Sequence, residues 1–130
     1  MNNFFCTTVG RRKNSVARVS VCDGVGKISI NGKTLDDFFC GLIRHKNIVL
    51  SPISVCGILK YDFYINVRGG GITGQAGAIS LGLSRAILKL NESLKSLLKK
   101  KNLLTRDSRM VERKKAGRVK ARKRFQYSKR

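Results

Sequence analysis

The sequence predicts an α+β fold: a small β-sheet with helices packed on one face, continued by an extended basic C-terminal tail. Three observations predict it. β-Branched and aromatic residues gather in short runs at 16–21 and 61–67, apolar residues recur at helical spacing between 76 and 98, and after Leu104 apolar periodicity stops while positive charge continues. A chain of 130 residues is one domain's worth. The expected division is a globular α+β body over 1–105 and a basic tail over 106–130, with helices on one face of the sheet and no internal repeat.

In chain order, the segment "NSVARVSVCDGVGKISING" sets Val16 and Arg18 against Ala17, Val19 and Val21. Asp23-Gly24 separates two such runs, so the segment reads as two antiparallel strands joined by a turn. Asn31-Gly32 supplies a second turn. Thr34 is placed to cap a short helix, "LDDFFCG", whose first turn carries Asp36 and Asp37 where the dipole favours acids, and Gly41 ends it. Around Pro52 the sequence predicts one helical stretch before the proline and another short one after it. "YDFYINV", Tyr61–Val67, reads as a strand. Ala76, Ile79, Leu83, Ala86, Ile87 and Leu90 then form a helical stripe. Gly74, Gly77 and Gly82 weaken this helix by about 1 kcal/mol each relative to Ala, and they let it lie close to a sheet or another backbone. Asn91 caps a last helix, with Leu94, Leu97 and Leu98 as its buried face and lysines in its final turn.

Charge is the dominant compositional feature: 28 Lys and Arg against 7 Asp and Glu, a formal net of +21. Residues 106–130 alone carry 12 basic and 2 acidic side chains. So much positive charge self-repels unless a polyanion neutralises it, which points to nucleic acid, with a membrane surface as the second candidate. No apolar run approaches the ~18 residues that cross a bilayer. The opening "MNNFFCTTVGRRK" has no leader-like pattern, so the chain is expected to work where it is made. The cysteines at 6, 22, 40 and 56 lack the close pairing of a zinc site and are expected to be reduced, mostly buried thiols. No metal site and no cofactor are expected.

No catalytic set is visible. The single histidine, His45, has no nucleophile in a known arrangement and reads as a surface or half-buried helical residue. "GGGITG" satisfies G-x-G-x-x-G between a strand and a helix, but the dinucleotide fingerprint also needs a second parallel strand ending in an acid, and none follows. What remains is physical: Arg68 followed by Gly69, Gly70 and Gly71 bares backbone N–H groups at a helix start, where anions are favoured. Arg11, Arg12 and Lys13 stand just ahead of a strand and, with Arg18, suit phosphate. In the tail, Lys114, Lys115, Arg118, Lys120, Arg122, Lys123 and Arg124 cannot share one helical face; they surround the chain. Charge on all sides fits a crevice walled by phosphate, such as folded RNA, and Phe125 and Tyr127 are suited to stacking on bases. A free-standing, nonspecific nucleic-acid-compacting protein is the alternative reading.

Three segments, "GRRKNSVARV", "NVRGGGITGQAGAISLGLSRAIL" and "LLTRDSRMVERKKAGRVKARKRFQYSKR", resemble the signatures of small-subunit ribosomal protein nine, bacterial and organellar type, in order and at the right spacing. The resemblance implies an α+β body with a left-handed β-α-β crossover, as in the second domain of ribosomal protein five of the same subunit. It implies binding to the 3′ major domain of small-subunit rRNA in the head, beside neighbouring head proteins, and a tail that reaches the anticodon stem-loop of the P-site tRNA. Carried over by position, rRNA contacts fall on the body residues already named and on Thr73, Gln75 and Arg85. In the tail they fall on Arg106, Arg109 and Arg113 as well as the seven cations from Lys114 to Arg124, and tRNA contacts fall on Ser128, Lys129 and Arg130. The family usually has Pro where this chain has Phe125, so a rigid φ is lost there. The richness in Asn, Lys, Ile and Phe suggests an AT-rich genome and hence a plastid, with a bacterial cytoplasm or a mitochondrion as the other settings.

Overall fold

A computed structural model describes residues 4–129; the predicted contact residue Arg130 lies outside them. The body is α+β. Strands β1 (Cys6–Arg12), β2 (Ser15–Asp23), β3 (Ile28–Ile30), β4 (Lys33–Thr34) and β5 (Tyr61–Arg68) form one mixed sheet in the order β1-β2-β5-β3-β4. Helices α1 (Leu35–Phe39), α2 (Ile43–Cys56), α3 (Ile72–Leu90) and α4 (Lys95–Lys100) pack to one side, with a 3₁₀ turn at Glu92–Leu94 leading into α4.

The sheet departs from the sequence expectation in two ways. Segment 6–12 is a strand, and its hairpin with β2 turns at Lys13-Asn14, with Lys13 in the left-handed region at φ 50°. β2 and β3 do run in opposite directions, but they do not pair: β5 lies between them, antiparallel to β2 and parallel to β3. Residues 24–27 therefore bridge across the end of an inserted strand. Asp62, on that strand, organises the bridge by accepting the N–H groups of Val25, Gly26 and Lys27 at 2.9, 3.1 and 2.8 Å. A side chain on Gly24 would collide with the Asp62 carboxylate. The parallel β3–β5 pair, connected through β4, α1 and α2, is the β-α-β unit of the fold.

The Lys27 N–H, helped by those of Val25 and Gly26, holds the Asp62 carboxyl below the usual carboxylate range. A carboxyl depressed in the folded state adds stability above its unfolded pKa and loses it as pH falls through the folded value. Denaturant midpoints measured against pH are therefore expected to fall below about pH 4. Asp62→Asn should be less stable than wild type at neutral pH, and the difference should shrink in acid.

Asn91 accepts the Ser93 N–H and so caps the 3₁₀ turn and not α4, which has no side-chain cap; the other local expectations hold with two exceptions. Asn31 (φ 50°) and Gly32 (φ 79°) form the β3–β4 turn. The Asn31 side chain also prolongs β3, donating to the Val67 carbonyl at 3.0 Å and accepting its N–H at 2.9 Å. Thr34 caps α1 through the Asp37 N–H, and the chain leaves α1 through Cys40 and Gly41, both left-handed. The first exception is Pro52, which lies inside a continuous α2 instead of dividing two helices. It falls in the last turns, where only one interior hydrogen bond is lost, and its ring is fully buried in the core. The second is Leu97, which is 43% exposed; Leu98 is buried, and Leu94, Leu103 and Leu104 pack partly buried beside it. The body thus closes with the chain turning back at Asn102 (φ 54°) and Leu103 donating to the Leu98 carbonyl at 3.0 Å.

The core lies between the sheet and its helices. Ala17, Val19 and Val21 of β2 and Phe63, Ile65 and Val67 of β5 line the buried face of the sheet, and α3 packs against that face and against α2. Residues 74 and 76 onward to 87 are therefore buried almost all round, apart from Gly77 and Arg85. Small residues make this possible. Thr8 of β1 donates its hydroxyl to the Gly82 carbonyl at 2.8 Å, and a Cβ on Gly82 would stand 2.8 Å from Val19 Cγ2 and 3.3 Å from the Gly10 nitrogen. The glycines read from the sequence as permitting close approach do so here, against β1 and the start of β2.

Candidate nucleic-acid interface

The strand alternation that buries one face of the sheet leaves the other uncovered. On that open face the register sets Arg11, Val16 and Arg68 in one cross-strand row, with Val9, Arg18 and Asn66 in the next. All six are exposed, and the rows bring Arg68 beside the two arginines of the β1–β2 hairpin, Arg11 and Arg18. Arg12 points the other way. Its guanidinium lies over Gly77 of α3 and pairs with Asp107 at 3.2 Å. The run Arg11-Arg12-Lys13 is thus split by the pleat: Arg11 faces the open sheet, Lys13 occupies the hairpin tip, and Arg12 fastens the tail root to the body.

The glycine loop sits at the same end of the sheet. Gly69 and Gly70 adopt φ of 74° and 66°, and Gly71 is the extended residue that starts α3 without a side-chain cap. The loop folds round the buried Ser15, whose hydroxyl donates to the Gly69 carbonyl at 2.8 Å; Gln75 Nε2 reaches the same carbonyl at 3.3 Å. A Cβ on Gly74 would press on the Ser15 hydroxyl at 2.8 Å, whereas one on Gly71 would meet nothing. So Gly69, Gly70 and Gly74 have packing reasons to be glycine, and Gly71 leaves the helix start open. Among the described residues no strand follows α3, so the loop is without the second half of a dinucleotide fold there. Thr73 hydrogen bonds His45 Nε2 at 3.1 Å, and the half-buried His45 ring stacks on Phe39 at 6.0 Å between centroids.

Arg85 lies elsewhere, along the outer edge of β1. It donates to the Val9 carbonyl at 2.6 Å, and Lys89, one helical turn on, donates to the Thr7 carbonyl at 3.3 Å. Sequence reasoning named Arg85 without its partner and did not single out Lys89; the i, i+4 spacing on α3 was the available signal.

From Arg106 to Lys129 the chain has no helix or strand and is almost wholly exposed. Its two acids shape it. Asp107 takes Arg12 from the body and Arg109 from the tail, and hydrogen bonding from Arg109 depresses its pKa strongly. Glu112 takes Lys115 at 3.1 Å and Arg122 at 2.9 Å. Together with the Val119 N–H to Lys123 carbonyl bond of 2.9 Å, this folds 112–123 into a loop. The tail is thus not uniformly extended. Arg113 and Arg118 bond carbonyls within the loop, while the side chains of Arg106, Lys114, Lys120, Lys123 and Arg124 are exposed, as are those of Ser128 and Lys129 at the end.

Of the cysteines, Cys22 is buried, Cys6 and Cys56 are half-buried and Cys40 is exposed, against the expectation that most would be buried; all four are free thiols. Burial raises the pKa of Cys6, Cys22 and Cys56, which suits inert thiols. Among the described residues no three His, Cys, Asp or Glu side chains gather as a metal site would require.

Residues 10–130 match the family model described as ribosomal protein S9/S16. The chain is 57% identical over 122 residues to the small ribosomal subunit protein uS9 of Borrelia duttonii (strain Ly), covering 93% of this chain and 89% of that protein. It is 51% identical over 124 residues to proteins of the same name in Anaeromyxobacter sp. (strain K) and Chlorobium limicola, in each case covering 95% of both chains. A basic, glycine-looped α+β body with a cationic tail, matched along nearly its whole length, belongs to the ribosomal protein S9/S16 family, a family of ribosomal proteins and not of enzymes.

Proposed function

We propose that this chain is a structural constituent of the small ribosomal subunit, binding and scaffolding small-subunit rRNA in the head while its C-terminal tail reaches the P-site tRNA. The observation that carries the reading is convergence. The hairpin tip with Lys13, the open-face arginines 11, 18 and 68, the glycine loop and the Arg12–Asp107 tail root all stand at one end of the sheet. A body that concentrates phosphate-binding groups where its tail departs can fix one RNA surface and feed the tail into it. Neighbouring head proteins and the 3′ major domain of the rRNA complete the setting. The Asn, Lys, Ile and Phe richness of the chain favours a plastid as its setting, with a bacterial cytoplasm or a mitochondrion as the alternatives; the relatives compared are bacterial.

The rival, a free nucleic-acid-compacting protein, shares the charge but predicts no preference for folded RNA. Competition between small-subunit rRNA and duplex DNA for the full chain should favour rRNA strongly, with log affinity falling by roughly 0.7 to 0.9 per phosphate contact for each unit of log salt. Equal affinity for both would favour the rival. Deleting residues 128–130 should leave assembly with rRNA nearly intact while weakening retention of P-site tRNA several-fold. Failed assembly in that variant would contradict the division of labour between body and tail end.

A further inference from the structure

The open sheet face continues past its arginines into a different chemistry. In the row beyond Arg18 and Asn66 the register aligns Thr7, Ser20, Tyr64 and Ser29 across four strands. The half-buried Tyr64 ring is braced edge-on by Phe4, with centroids 5.8 Å apart at 75°. A shallow depression of about 420 Å³ lies over this row, with Asn31, Asn66 and Arg18 on its rim. The open-face positions of β1, β2 and β5 from these rows contain no acid. Asp62, next along β5, has its carboxylate turned into the 24–27 bridge by three backbone donors.

We propose that Tyr64 is a nucleobase-stacking position, and that the open sheet face binds a short unpaired stretch of RNA, its phosphates at Arg18, Arg68 and Arg11 and a base on Tyr64. This rests on the rRNA-binding reading above and names the class of RNA and the residue that reads it. Along β5, Tyr64, Asn66 and Arg68 succeed one another at roughly 7 Å, the scale of one extended nucleotide. An aromatic ring held at a fixed tilt by a neighbour presents a rigid π-face, and stacking on such a face accepts any base. Ser20, Ser29 and Asn66 offer hydrogen-bond donors and acceptors to base edges beside the ring. Val9 and Val16, exposed between the arginines, give the sheet an apolar floor on which arginine stems and sugars can lie. Charge complementarity favours RNA over a protein partner, because three arginines with no acid among them would need an acidic partner surface of matching layout. A duplex suits the face poorly, since its bases are already stacked on one another and cannot reach the ring.

The test uses the full chain and an oligouridylate carrying 4-thiouridine, irradiated at physiological salt and mapped by mass spectrometry. A crosslink on the Tyr61–Arg68 segment, at or beside Tyr64, is the expected result. Tyr64→Ala should lower affinity for the oligouridylate about tenfold and leave affinity for duplex RNA within about twofold, while Tyr64→Phe should keep both. The number of phosphate contacts does not change, so the salt slope should stay as in wild type. Crosslinks confined to the tail, or equal losses for single-stranded and duplex RNA in Tyr64→Ala, would overturn the assignment. Thermal melting of each variant separates a folding defect from a binding one, and the wild-type crosslink needs no variant at all. Reconstitution with full-length small-subunit rRNA is the companion measurement. A chain that assembles but gives no sheet-face crosslink sinks this assignment alone, whereas a chain that does not assemble sinks the rRNA reading with it.

Discussion

Truncation after Met110 is expected to leave a folded body and to remove most of the salt-dependent affinity for RNA. The cut keeps Leu103 and Leu104 on the core and keeps Asp107 on Arg12, so the melting temperature should shift by no more than a few degrees. What goes is charge: residues 111–130 hold ten Lys and Arg and one acid, Glu112. If about eight of those cations reach phosphates, the slope of log affinity against log salt falls by roughly 6 to 7. At physiological salt that is a loss of several orders of magnitude. Filter binding across a salt series with small-subunit rRNA measures it. An unchanged slope would mean that the tail makes few phosphate contacts and that the open face and glycine loop carry the affinity. The same cut also probes the free state of the tail. Away from RNA the segment buries too little apolar area to offset its chain entropy, and the Glu112 pairs are exposed and worth little. Subtracting the spectrum of the truncated chain from that of the full chain should therefore leave narrow, poorly dispersed amide signals.

The largest stability loss is expected at Gly10. A Cβ there would lie inside contact distance of the Ala78 carbonyl oxygen and the Gly82 nitrogen, both of them backbone. Neither can rotate away as a side chain would, so the strand and α3 must separate. Overpacking in a core costs about 1–3 kcal/mol, and an obstacle made of backbone belongs at or above the top of that range. Against a total stability of roughly 5–15 kcal/mol, Gly10→Val should lower the melting temperature by about 10 °C or more, or abolish folding. Gly71→Ala is the control: nothing stands within 4 Å of its added methyl, and its φ of −97° suits any residue. Equal melting temperatures for the two variants would remove the close β1–α3 approach from the account of the fold.

The helices and turns were legible in the sequence because their signals are local. Thr34 before Asp36 and Asp37, Asn31-Gly32, and the stripe from Ala76 to Leu90 each depend on neighbours a few residues away. Pairing between distant strands is not local. Asp23-Gly24 looks like a hairpin turn, yet β5, some forty residues later, takes the place beside β2, and only Asp62 receiving the bridge N–H groups makes that arrangement satisfactory. Pro52 was misread because a proline rule for helix interiors takes no account of a buried ring near a helix end. The same division applies to the candidate interface. Arg68 and the glycines were legible as an anion-friendly helix start, Arg18 as a basic strand residue, and Arg11 only as a basic residue ahead of a strand. That β1 is a strand at all, which separates Arg11 from Arg12, was hidden by the density of charge at its end. Asp107 ties the tail root to Arg12 across 95 residues of chain, a pairing that no local pattern shows.

Arg85 and Lys89 have a consequence for the chain before it meets RNA. A newly made copy waiting for its partner exposes two sheet margins to every other copy in the cell. One is β4, two residues long and bearing Lys33, too short to template anything. The other is β1, where the outward carbonyls of Thr7 and Val9 are already engaged by cations from its own helix. Recruiting a second molecule by strand addition would mean evicting those cations and bringing two strongly positive chains together, so the unassembled pool should stay monodisperse instead of seeding fibres.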